Sequence, residues 1–181
     1  MIEENEVKLL IKAVAFATDK HRYQRRKNVD KFPYINHPVA LASILCNEAH
    51  ITDMKVLCGA LLHDTVEDTK TTAEELVLEF GQEISDIVME VTDDKSIEKQ
   101  KRKQLQIEHA AHLSDSAKLI KLADKISNLR DIANDPPAEW SLERKLEYFD
   151  WAKEVIDQLR GVHSGLEVLF DQAYSMRPNE G

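Results

Sequence analysis

From Glu6 to about His21 the apolar residues Val7, Leu10, Ile11, Val14 and Ala17 recur three or four positions apart, and this helical period returns in almost every segment that follows. No stretch alternates apolar and polar side chains convincingly enough to be a strand. These patterns restrict the chain to an all-α class, a bundle of irregular helices around a shared core. With 181 residues, 43% of them hydrophobic and only five glycines and five prolines, there is enough apolar side chain for one sizeable core. No repeat or linker interrupts it. The expectation is a single domain over residues 1–181, with its folded body at about 7–175.

Local signals set the helix boundaries. Pro38, whose fixed φ suits a first helical position, is placed to open a second helix that runs to about Ala49. Thr52 is expected to cap a third, through Met54, Val56, Leu57, Ala60, Leu61 and Leu62 to about His63, and its apolar density marks it as central. Thr71 with Glu74 makes a capping-box pattern, Phe80-Gly81 a stop, and Gln82 to Val91 the next helix. A strongly charged helix over 97–112 and a longer amphipathic one over 115–133 follow, the latter ended by Asp135-Pro136-Pro137. Ser141 caps a helix to about Arg160, Gly161 stops it, and a last helix covers about Leu166 to Tyr174.

The formal net charge of −9 argues against a general nucleic-acid binder, which needs a broad basic surface to displace counterions. The densest positive run is His21-Arg22-Tyr23-Gln24-Arg25-Arg26-Lys27, and on charge alone it reads as a solvated loop. The acidic start, Met1 to Glu6, and the lack of a membrane-length apolar run encode neither export nor insertion, so a cytoplasmic protein without a membrane partner is expected. Cys46 and Cys58 lie in apolar segments and read as buried core thiols rather than chemistry. Two cysteines alone do not make a structural zinc site.

The chemistry lies in polar residues set against apolar runs. His37 stands in Pro-Tyr-Ile-Asn-His-Pro at the mouth of the second helix, where a lone histidine is usually a cap or a packing residue. His63-Asp64 follows Gly59-Ala60-Leu61-Leu62 directly, and charges beside a core need a partner. Taken alone, the pair reads equally as a cap with a satisfied core histidine or as two metal ligands. Glu67 and Asp68 come four residues on, above His63 and Asp64 if the helix continues, and beside such a pair they become candidates for proton transfer. Asp124 sits among leucines, with Asn128 one turn later; its alternative is an ion pair with Lys121 or Lys125, either of which is also able to meet a phosphate. A mixed His and Asp set favours Mn²⁺, Fe²⁺ or Zn²⁺ over Ca²⁺.

Taken together, these segments resemble the metal-dependent HD-domain phosphohydrolases, and within them the small alarmone hydrolases related to the hydrolase half of Rel/SpoT enzymes. The resemblance is carried by Arg-Arg-Lys at 25–27, Tyr-Ile-Asn-His-Pro at 34–38, Leu-Leu-His-Asp-Thr-Val-Glu-Asp-Thr at 61–69, Val-Thr-Asp-Asp-Lys at 91–95 and Lys-Leu-Ala-Asp-Lys at 121–125 with Asn128, in the family's order. A bare His-Asp pair defines only the broad superfamily, whereas its extension to Thr69 is specific to the alarmone branch.

No synthetase domain follows, so the resemblance implies a stand-alone hydrolase, one that removes pyrophosphate from the 3′ position of guanosine tetra- and pentaphosphate with one Mn²⁺ per chain. It implies His37, His63, Asp64 and Asp124 as metal ligands. Glu67 and Asp68 would manage the nucleophilic water, and Asn128 would orient it or bind ribose. Arg26 and Lys27 would contact the nucleotide, with Lys95 and Tyr148 as walls of its pocket. Two rivals share these residues: a phosphatase acting on another nucleotide, such as NADPH or a deoxynucleotide monophosphate, and a non-catalytic nucleotide sensor.

Overall fold

The third helix expected from sequence organises the others. In the computed structural model, which describes residues 4–179, α1 is Glu4–Lys20, α2 Asn36–Ser43, α3 Met54–Leu62, α4 Thr65–Asp68 and α5 Ala73–Phe80. They are followed by α6 Gln82–Val91, α7 Lys99–Ala110, α8 Asp115–Asn134, α9 Leu142–Asp157 and α10 Ser164–Tyr174. The first three residues of the acidic N-terminal segment lie outside the described residues. Among the described residues there is no strand, only the isolated bridges Arg25 to Pro33 and Asn28 to Pro137. No helix among them is long and apolar enough to cross a membrane.

Every residue of α3 from Val56 to Leu62 is buried, because the helix is apolar on all sides and is wrapped by α1, α2, α6 and α8. One face joins Leu41, Leu45, Leu122, Ile126, Leu129 and Phe149 in the larger core, shared with α2, α8, α9 and α10. The other, through Cys58, Leu61 and Leu62, packs with Ala13 and Ala17 of α1 and with Leu76, Ile84 and Val88 of α5 and α6. Each fully buried leucine contributes roughly 1.5–3 kcal/mol through removal of apolar surface from water.

Gly59 allows the close approach of three helices, since a Cβ there would lie 2.8 Å from Ile120 Cδ1 on α8 and 3.0 Å from Ile87 Cγ2 on α6. Gly59→Val is therefore expected to destabilise the fold by about 1–3 kcal/mol through overpacking. The check is the thermal midpoint, which should fall by roughly 2–4 °C for each kcal/mol.

Several boundaries differ from the sequence expectation. The cap of α3 is Asp53, not Thr52: its Oδ1 accepts from the Lys55 N–H at 2.8 Å, and a carboxylate also suits the positive end of the helix. The cap of α5 is Thr72, which accepts from the Glu75 N–H at 3.2 Å, while the buried Thr71 shares a 2.8 Å hydrogen bond with Thr69. Helix α2 opens at Asn36, before Pro38, because the Asn36 and His37 N–H groups already bond to the Pro33 and Tyr34 carbonyls. It runs into a π-turn over Ile44–Glu48 that no local signal announced. The last two helices are divided as expected by Gly161, at φ 100°, but α9 ends at Asp157, and α10 opens at Ser164 with the His163 imidazole as its cap. Cys58 is buried, Cys46 half-buried, and both are free thiols.

Candidate metal centre and nucleotide cleft

The helix through His63 does not continue. It ends at Leu62, Asp64 takes φ −101° and ψ 0°, and a single new turn, α4, carries Thr65 to Asp68. Thr65 Oγ1 donates to the Leu62 carbonyl at 2.7 Å, satisfying one of the acceptors freed at the break. The Asp68 N–H still bonds to the Asp64 carbonyl at 2.9 Å, so Glu67 and Asp68 face the same hollow as the His-Asp pair.

Across that hollow stand α2 and α8. His37 Nε2 lies 3.1 Å from Asp124 Oδ1, and His37, His63 and Asp124 offer ligand atoms that all fall within 4.8 Å of one another. Asp64 stands beside this group, its Oδ2 2.8 Å from His63 Nε2 and 4.0 Å from His37 Nε2. Supporting groups set the rings. His63 Nδ1 is 2.8 Å from the Ala60 carbonyl, to which it donates, so Nε2 is directed inward; His37 Nδ1 meets Ser127 Oγ at 3.3 Å. Asn128 Nδ2 donates to Asp124 Oδ1 at 2.9 Å, and the Tyr34 hydroxyl donates to Asp64 Oδ2 at 2.5 Å.

The buried His63 Nε2 has no hydrogen-bond partner, because Asp64 is close but poorly aligned. An orphaned imidazole nitrogen beside a second imidazole and the Asp124 carboxylate is a donor set that suits a divalent metal.

The ionisable groups of this hollow shift one another strongly. Burial opposes the protonated His63, but Asp64 and Asp124 outweigh it and raise the ring's pKa to about 9. Burial likewise opposes the Asp124 carboxylate, yet Lys125, His37 and His63 hold it well below the usual range. His37 goes the other way, burial lowering its pKa, so the ring is neutral. Glu67 is the exception among the acids. Burial pushes it up to about 7 despite a 3.0 Å hydrogen bond from the Asp93 N–H to its Oε2, and the neighbouring Asp64, Asp93 and Asp68 add to the rise.

A cleft of about 740 Å³ opens beside the hollow and shares Arg26, Tyr34, His37, Asp68 and Asn128 with it. Lys27, Lys95 and Tyr148 line this cleft and not the hollow. Arg26 is pinned by a 2.6 Å ion pair to Asp131, with its guanidinium 5.7 Å from the Tyr34 ring centre. Asp68 has both oxygens engaged, one by Gln24 at 2.9 Å and the other by the ammonium of Lys95. The alternative ion pair for Asp124 is made by Lys125, at 3.3 Å, while Lys125 also lies over the Trp151 ring at 4.1 Å.

Sequence reasoning passed over Tyr34, Gln24, Ser127 and Trp140. Tyr34 lies in the turn that leads into α2, where its carbonyl accepts from the His37 N–H, so helical spacing did not mark it. Gln24 and Ser127 act through partners distant in sequence, Asp68 and His37, which no local pattern announces, whereas Trp140 packs against Tyr148 on the wall of the cleft.

The HD domain model matches residues 13–148 of the chain. The guanosine-3′,5′-bis(diphosphate) 3′-pyrophosphohydrolase MESH1 of Xenopus tropicalis is 54% identical over 170 residues, 94% of this chain and 95% of that protein. Its counterpart of the same name from Homo sapiens is 50% identical over 173 residues, 96% and 97% of the two chains. A solved structure of a metazoan ortholog of SpoT that hydrolyzes ppGpp shares the fold with a TM-score of 0.91, at 50% identity over 93% of this chain and 95% of that one. With an all-α architecture and a His and Asp cluster able to hold a divalent metal, the chain belongs to the HD domain family.

Proposed function

We propose that this chain is a Mn²⁺-dependent hydrolase that converts guanosine 3′,5′-bis(diphosphate) to GDP and pyrophosphate, and the corresponding pentaphosphate to GTP and pyrophosphate. The observation that carries this reading is the junction of a buried His and Asp cluster with a nucleotide-sized cleft, in a chain matched nearly end to end by proteins named for that reaction. His37, His63, Asp64 and Asp124 would hold the ion. When bound, the ion supplies Lewis acidity at the phosphoryl group and an acidified water as nucleophile.

The chain's own residues then have distinct tasks. Tyr34 keeps its proton, because burial and Asp64 push its pKa well above the usual phenol range, and so it donates to Asp64 and fixes that carboxylate's orientation. Asn128 does the same for Asp124. Glu67, with Oε2 tied to the Asp93 N–H, has Oε1 left to take a proton from the water and to return one to the leaving ribose oxygen. Asp68, with both oxygens engaged, positions Gln24 and Lys95 in the cleft rather than moving protons. Arg26, braced against Tyr34 and Asp131, offers a planar cation to the base, and Lys27 and Lys95 offer point charges to phosphate. Tyr148 closes the cleft from α9.

The direct test is product analysis with Mn²⁺ present. Equal release of GDP and pyrophosphate is expected, lost with a chelator, restored by Mn²⁺, and faster than phosphate release from NADPH. Negligible turnover of the guanosine substrate would refute the reading.

Metal affinity should also depend on pH. The ion must displace the His63 proton, so affinity is expected to rise about tenfold per pH unit up to about 9 and then level off. Titration of Mn²⁺ at a series of pH values, with one proton released per ion between about 7 and the plateau, is the check.

A further inference from the structure

Lys99, Arg102 and Lys103 on α7, Arg144 on α9 and Lys27 in the basic loop line one pocket of about 220 Å³, in a chain of net charge −9. Asp93 is the one carboxylate among its lining residues, and Gln106 already donates to it at 2.6 Å. Among the described residues none of these five cations makes an ion pair. Arg102 Nε is buried without a hydrogen-bond partner. Burial lowers the Lys103 pKa, and Lys99, Arg144 and Lys125 lower it further against the opposing pull of Glu147, as expected of a cation cluster short of anions.

Aromatic faces hold the charges in place. The Arg144 guanidinium lies 4.4 Å from the Trp140 ring centre and the Lys103 ammonium 5.1 Å from that of Trp151, leaving their N–H groups for another partner. Trp151 Nε1 donates to the Lys103 carbonyl at 3.1 Å, tying α9 to α7 across the pocket.

The pocket's position indicates its ligand. It shares Asp93 and Gln106 with the metal hollow, and Lys27, Trp140 and Tyr148 with the nucleotide cleft. A guanosine bis(diphosphate) carries two polyanionic arms on one ribose. With the 3′ arm at the metal, the 5′ arm departs from the same sugar and needs its own cations nearby.

We infer that this pocket receives the 5′-diphosphate or 5′-triphosphate of the substrate, with Arg144 and Lys103 as its main contacts and Arg102 and Lys99 completing the charge. The inference rests on the function proposed above, and it makes the 5′ chain, not only the 3′ one, a determinant of which nucleotides bind.

Both tryptophans of the chain line the pocket, so intrinsic fluorescence reports its occupancy. The metal-loaded protein is titrated with GDP, which keeps the 5′ arm, and with guanosine, which lacks it. GDP is expected to bind the wild type at least about tenfold tighter, and Arg144→Ala and Lys103→Ala should each remove most of that advantage while leaving guanosine unchanged. Arg144→Lys should restore part of it. Arg144 is exposed, and its variants are first checked for an unaltered thermal midpoint. Equal GDP and guanosine affinity in the wild type, or an unchanged ratio in both alanine variants, would overturn the inference. If the wild type shows the GDP preference but releases no pyrophosphate from guanosine 3′,5′-bis(diphosphate), the proposed reaction fails and the anion pocket stands. If it releases pyrophosphate while the ratio does not move, the reverse holds.

Discussion

Asp64→Ala is expected to lose Mn²⁺ binding and turnover together, the latter by on the order of 10³-fold. That exceeds the roughly 10–100-fold that follows loss of a group merely supporting a ligand. Tyr34→Phe supplies that comparison, because the Tyr34 hydroxyl donates to Asp64 Oδ2 at 2.5 Å and would only steady a ligand. Two measurements separate a ligand from a supporting residue: metal affinity by direct titration, and kcat at saturating Mn²⁺. If excess metal rescues Asp64→Ala to the level of Tyr34→Phe, Asp64 is not a ligand.

The metal-free protein provides a second readout. Asp64 heads the influences that raise His63 against burial, so in Asp64→Ala the His63 pKa should fall from about 9. A histidine raised above its ordinary 6.5 contributes stability that is fully present below that value and lost as pH rises through about 9. The metal-free wild type should therefore lose stability across that window, and Asp64→Ala should lose less there. NMR titration of the ring and thermal midpoints at several pH values test both statements.

How far the sequence reached depended on which contacts were local. The central helix was legible because Val56 to Leu62 are apolar on every face, and its neighbours because Leu122, Ile126 and Leu129 keep a helical period. His37, His63 and Asp124 were singled out because each stands beside apolar sequence where an ionisable group needs a partner, and the fold brings their ligand atoms within 4.8 Å. The third helix was expected to end near His63, and it ends at Leu62, but the separate turn over Thr65–Asp68 was not foreseen. Thr65 and the residues after it have nothing that forbids a continuous helix, and the break is maintained by tertiary contacts such as the Tyr34 hydrogen bond to Asp64. The caps slipped by one residue at Asp53 and Thr72 because two adjacent capping residues compete at each site and spacing alone does not choose between them. The cationic pocket was hidden for a different reason: its charges come from 27, 99–103 and 144, segments that no local pattern joins.

Glu67→Gln separates proton handling from metal holding. The substitution keeps the side chain's shape and an oxygen to accept the Asp93 N–H, so Mn²⁺ affinity should stay within a few-fold of wild type while turnover falls by about 10²–10⁴-fold, the usual worth of a positioned general base. The pH profile identifies the mechanism. Burial sets the Glu67 carboxyl at about 7 in the metal-free protein, and a nearby cation can only favour its ionised form. The wild-type rate should therefore rise with pH along a limb that ends at or somewhat below 7, and Glu67→Gln should lack that limb. A limb that persists in the variant would assign it to another group. Stability should move the opposite way from activity. A carboxyl whose folded pKa is raised above its unfolded 4.5 destabilises the fold progressively as pH rises from there through about 7. Above that pH the metal-free Glu67→Gln protein, carrying no buried charge at this position, should melt higher than the wild type. Such a gain, coupled to lost turnover, is the signature of a residue kept in an unfavourable place for its chemistry.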